Sequence, residues 1–135
     1  MCKIPAALLL LFAAPLVMSA TRPDNSWLIG PVKGPRGFGE IRVQGDATYW
    51  RLLSPTHQLL SQVRQPAIPR NHTFSFGECS RDGVEQTDLA VEISVPDPKG
   101  KRATAVRAWR FSPAAKSIRP AQINGIVCYN PDYGF

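Results

Sequence analysis

Between Thr87 and Phe111 the chain alternates in two runs on either side of Pro98-Lys99-Gly100, and Cys79 and Cys128 enclose the whole stretch. From Thr87 to Val95 the bulky apolar residues fall at every second position, which is the period of a strand with one buried face. A helix would scatter them. From Arg102 to Phe111, Ala103, Ala105, Trp109 and Phe111 share one side, which only Arg107 interrupts. Pro followed by Gly suits a three-residue hairpin loop, a type I turn closed by a left-handed glycine, with Asp97 and Lys101 as the closing pair. That register predicts Leu89 opposite Trp109, Val91 opposite Arg107, Ile93 opposite Ala105, Val95 opposite Ala103, and Asp88 facing Arg110 on the exposed side. A two-residue loop, the weaker alternative, pairs Glu92 with Arg107 and turns Trp109 and Phe111 to the wetter face.

With 135 residues the chain has room for one domain. Lys3 precedes an apolar run from Ile4 to Met18, and the small residues Ser19 and Ala20 follow, so residues 1–20 read as a secretory signal peptide and 21–135 as a single exported β-rich domain. The run is short for a membrane span, and no transmembrane segment is expected in the mature chain. Cys2 leaves with the leader, which takes the cysteine count from three to two. An even pair in an exported domain favours a Cys79–Cys128 disulfide, since the spacing fits neither a zinc site nor a CxxC redox motif. Closing a loop of about fifty residues stabilises the fold by about 4 kcal/mol on the chain-entropy model.

In chain order, residues 21–39 show little periodicity, and Gly30 to Gly39 with two Gly-Pro steps reads as an irregular loop. A phosphate-cradling loop would need a following helix, and the residues after Gly39 look like a strand. Glu40 to Leu53 forms a hairpin around Gly45-Asp46. Ser54-Pro55 resembles an N-cap with proline at the first helical position, and Leu59, Leu60 and Val63 share one face of a short helix ending before Pro66. His72 to Phe76 is a strand, Ser80 to Gly83 a turn, Ser112 to Lys116 a turn leading back through Ile118, and Ile123 to Cys128 a last strand. The sum is a mainly β fold, a small antiparallel β-sandwich or open barrel with one short helix and one disulfide.

A catalytic motif is not found. His57 and His72 are the only histidines, there is no HExxH pair, and no Cys/His cluster has metal-ligand spacing, so neither metal nor cofactor is expected. Charge is more informative, because Lys99, Lys101, Arg102, Arg107, Arg110, Lys116 and Arg119 crowd between 99 and 119, where no acidic residue occurs. Asp82, Glu85, Asp88, Glu92 and Asp97 precede them. One account is charge compensation across two neighbouring strands. The other is a cationic surface that meets an anionic partner, with Lys99, Lys101, Arg102, Arg107, Trp109, Lys116 and Arg119 as candidate binding residues. Trp27, Tyr49, Trp50 and Trp109 read as core aromatics. Arg107, on an apolar side, must lie at an edge, stack on a ring, pair with a carboxylate or line a cleft.

The expected function is therefore a secreted or periplasmic, non-enzymatic binding protein, an inhibitor or an envelope interaction module with a basic hairpin surface. Its expected partner is an acidic protein, an anionic envelope polymer or a lipid surface, and nucleic acid is not expected. A hydrolase whose residues assemble only in space and a purely structural envelope protein are the alternatives.

Overall fold

The computed structural model describes residues 25–96 and 99–131. The expected leader over residues 1–20, and Asp97 and Pro98 of the expected hairpin loop, lie outside the described residues. Four strands, β1 (Ser26–Ile29), β2 (Gly37–Gln44), β3 (Ala47–Leu53) and β4 (Leu59–Arg64), pair antiparallel in chain order as a first sheet. The β2–β3 hairpin turns at Gly45-Asp46 as expected: Gln44 stands opposite Ala47, and Gly45 takes the positive φ of 64° that the tight loop needs. Gly39 has a second reason. A Cβ there would lie 2.2 Å from Cζ2 of Trp27, whose indole crosses β2 at that point.

The expected helix after Ser54-Pro55 is absent, and its residues form β4 instead. Ser54 does act as a cap, since its Oγ accepts from the backbone N–H of Thr56 and of Gln58 at 3.2 and 3.0 Å. Such bonds serve a turn as well as a helix. Here Ser54 N donates to Gln58 O, His57 N donates to Ser54 O, and His57 takes a φ of 68°, which reverses the chain into a hairpin. The three-residue spacing of Leu60 and Val63 that imitated a helical face comes from an irregularity: the register jumps from Leu52–Ser61 to Leu53–Leu59, leaving Leu60 as the extra residue. Both Leu60 and Val63 pack on the core.

The second sheet holds β5 (His72–Phe76), β6 (Ser80–Arg81), β7 (Val84–Glu85), β8 (Leu89–Ser94), β9 (Arg102–Ser112), β10 (Ser117–Ala121) and β11 (Ile126–Tyr129). Its order is β5-β8-β9-β11-β6-β7, with β10 beside the other half of β9's free edge. Asp82 and Gly83, both at positive φ, make the two-residue turn between β6 and β7.

The central β8–β9 hairpin combines the two registers considered above. Near its tip Ile93 faces Ala105 and Ser94 faces Thr104, as the three-residue loop predicts, and the ladder ends there without a Val95–Ala103 pair. A bulge at Val106 then shifts the pairing by one. Beyond it Leu89 faces Arg110, Ala90 faces Trp109, Val91 faces Ala108 and Glu92 faces Arg107, so the expected Leu89–Trp109 and Val91–Arg107 pairs are corrected. Asp88 still reaches Arg110, at 2.6 Å from Nη1.

The bulge matters because both faces of this sheet are buried. On one face Ala90, Phe111 and Ile118 meet Ile29, Trp50 and Leu52 of the first sheet, which makes a β-sandwich core. Trp50 is wholly buried there, within 5.0 to 5.8 Å of the rings of Phe74, Phe76, Trp109 and Phe111, and its indole N–H donates to Gln65 Oε1. On the other face Leu89, Val91, Ile93 and Ala108 pack against the Cys79–Cys128 disulfide, which pins β11 and the start of β6 over that side. The expected disulfide is thus formed, and both its sulfurs belong to residues that are almost fully buried.

Candidate functional site

The face of the first sheet turned away from the core should be an ordinary solvated surface, but it carries a cavity of about 470 Å³. Alternation along β2 sends Phe38, Glu40 and Arg42 to this face while Gly39 and Ile41 turn inward, and the β2–β3 register sets Glu40 opposite Arg51 and Phe38 opposite Leu53. Ser26 of β1, Leu59 of β4 and His57 of the β3–β4 turn complete the wall. Glu40 is only 4% exposed. Its Oε1 lies 3.3 Å from Arg42 Nη2 and 3.5 Å from Arg51 Nη1. Among the described residues, two guanidiniums around one carboxylate leave a positive charge uncompensated, and Arg51 Nε, shielded from solvent, finds no hydrogen-bond partner.

His57 is the second unusual feature of this cavity. Its positive φ strains a non-glycine residue, and the strain is held by the Ser54 turn. The result is an imidazole stacked nearly parallel on Phe38, with ring centroids 4.5 Å apart. The cavity therefore offers a planar ring wall and an apolar lip of Leu53 and Leu59 at one side, and a guanidinium pair at the other. That combination suits a ligand with an anionic end and an apolar body.

A separate polar cluster closes one end of the sandwich core. Glu92 is 2% exposed, and its carboxylate accepts from His72 Nδ1 at 2.5 Å and from Arg107 Nε at 2.6 Å. Arg107 Nη2 also donates to Ala67 O, and its guanidinium lies 5.0 Å from the centroid of the Trp109 ring. Burial pushes the Glu92 carboxyl up, but the bonds and charges of His72 and Arg107 outweigh it and hold the group below the ordinary glutamate value. Among the described residues no serine, threonine or cysteine side chain is hydrogen-bonded to His72. The cluster reads as a satisfied buried network that orients Arg107.

The candidate residues named from the sequence do not share one place. Lys99, Lys101 and Arg102 sit at the tip end of β9, whereas Lys116 lies in the turn after its other end and Arg119 stands on β10 opposite Arg110, roughly 26 Å from Arg102 along the strand at about 3.3 Å per residue. Arg107 and Trp109 are brought together, one engaged by Glu92 and the other packed against Trp50. Sequence reasoning missed Phe38, Glu40, Arg42, Arg51 and His57. The signal was available for four of them, because the Gly45-Asp46 turn fixes which residues of β2 and β3 share a face.

Among the described residues no group of three or more His, Cys, Asp or Glu is placed to hold a metal ion, and no helix is long and apolar enough to cross a membrane. No family model, no curated protein and no solved structure matches this chain.

Proposed function

We propose that the chain is a secreted or periplasmic, non-enzymatic binding protein that holds an organic carboxylate with an apolar body in the outer cavity of the first sheet. The observation that carries the reading is the ratio of two guanidiniums to one nearly buried carboxylate beside a stacked Phe38–His57 wall. A planar carboxylate takes paired donors from arginine, and its apolar remainder covers Phe38, Leu53 and Leu59. An acidic protein presents the same chemistry as a chain terminus or acidic side chain next to an apolar residue. The disulfide fits an oxidising compartment.

The test is calorimetric titration with phenylacetate, octanoate and a short peptide ending in phenylalanine. The proposal expects saturable binding of at least one of them, weakened about tenfold or more in Arg42→Gln, which removes one charge-assisted donor from a half-exposed position. Binding by the peptide alone assigns the cavity to a protein partner. Absence of binding by all three, or equal affinity in the variant, contradicts the proposal.

A further inference from the structure

On the disulfide side of the second sheet, β9 and β10 present three cross-strand pairs to one face: Ala108–Ala121, Arg110–Arg119 and Ser112–Ser117. The first pair lies under the second core, and the other two emerge from it as the floor of an open groove of about 480 Å³. Arg81 of β6 forms its wall, fixed by a 2.6 Å bond from Nη2 to Gln122 O. Three arginines thus converge from three strands.

Folding does not account for this arrangement. Like charges directly opposite in an antiparallel ladder repel, and Arg110 and Arg119 are such a pair. Asp88 answers Arg110 at 2.6 Å. Arg119 is exposed and makes no hydrogen bond or ion pair among the described residues. Three guanidiniums against one carboxylate leave two positive charges. The two serines beside them add neutral hydroxyls, and Ser112 Oγ already accepts from Ala115 N, which leaves its own O–H to donate outward.

We infer that this groove is an anion site for a tetrahedral oxyanion, a phosphate or sulfate group, held by Arg81, Arg110 and Arg119. A tetrahedral group offers acceptors in three directions, which matches donors arriving from three strands better than a planar carboxylate does. The groove has no aromatic ring in its lining, so it provides no platform for a nucleobase or a sugar face. Recognition rests on the charged group alone, whether it is free or displayed on a lipid headgroup.

The test uses the full mature chain and its Arg119→Gln, Arg119→Lys and Lys33→Gln variants. Inorganic phosphate and inorganic sulfate are titrated by calorimetry, and co-sedimentation is measured with vesicles of phosphatidylcholine with and without phosphatidic acid. The parent binds at least one oxyanion, with affinity that falls as salt rises. Arg119→Gln loses about tenfold or more, Arg119→Lys recovers part of the loss, and Lys33→Gln, an exposed cation of the β1–β2 connection outside both cavities, binds as the parent does. Arg119→Gln melts at the same temperature or higher, because it relieves a like-charge pair. Co-sedimentation that phosphate competes away assigns the group to a lipid, and binding of free phosphate without it assigns a soluble ligand. No oxyanion binding by the parent, equal binding by Arg119→Gln, or a lower melting temperature with unchanged binding overturns the inference.

Discussion

Arg107 stands directly across the β8–β9 ladder from Glu92 and donates from Nε to its nearly buried carboxylate at 2.6 Å. A cation on what looked like an apolar strand face is thereby explained by a carboxylate on the neighbouring strand. Removing it leaves Glu92 buried with His72 as its remaining partner. Arg107→Met is expected to destabilise the fold by about 1–3 kcal/mol, less than for a fully buried pair because Arg107 is half-exposed. Urea denaturation measures this, and an unchanged midpoint contradicts it.

The same carboxylate predicts an acid limb. Its native value lies below the ordinary glutamate value of 4.5, so ionised Glu92 contributes stability that is present above that value and is lost as pH falls through the lower, native one. Parent and Glu92→Gln are compared by urea denaturation from about pH 6 to about pH 3. The stability advantage of the parent shrinks as pH falls across this window. A constant difference rules out the linkage.

The Cys79–Cys128 bond spans 49 residues in sequence and joins the strands that cover the outer core. Its reduction, or a paired Cys79→Ala and Cys128→Ala substitution, is expected to cost about 4 kcal/mol. Melting with and without reductant checks this, and thiol titration of the denatured, unreduced chain finds no reactive thiol in the mature domain.

Gly39 lets the Trp27 indole lie on β2, and at Gly77, whose φ is 69°, an added Cβ would fall 2.8 Å from Trp27 Cδ1. Gly39→Ala is therefore expected to displace Trp27 from its contacts with Phe76 and Phe111 and to destabilise by about 1–3 kcal/mol. Trp fluorescence and the melting temperature both change if this is right.

The local hairpins could be read from the sequence because turn chemistry and alternation are local. The Gly45-Asp46 turn and the His72–Phe76 strand are examples. The Val106 bulge could not, because β8 is buried on both faces and its inward-facing Ala90 and Glu92 look like solvent positions. What makes Glu92 a buried residue is supplied 20 residues earlier by His72 and 15 residues later by Arg107. The Ser54 turn failed for a different reason, since capping bonds are common to helices and hairpins and only the sheet decides between them. That error also hid His57, whose place over Phe38 depends on the chain reversing at that residue.

We place the ligand of the proposed function in the outer cavity of the first sheet. The most direct measurement is a map of backbone amide shifts of the isotope-labelled mature chain during titration with phenylacetate. Saturable shifts are expected to concentrate at Phe38, Glu40, Arg42, Arg51 and His57, with the amides of Lys99, Lys101 and Arg102 unmoved. Shifts confined to the β8–β9 tip, or none anywhere, would contradict it.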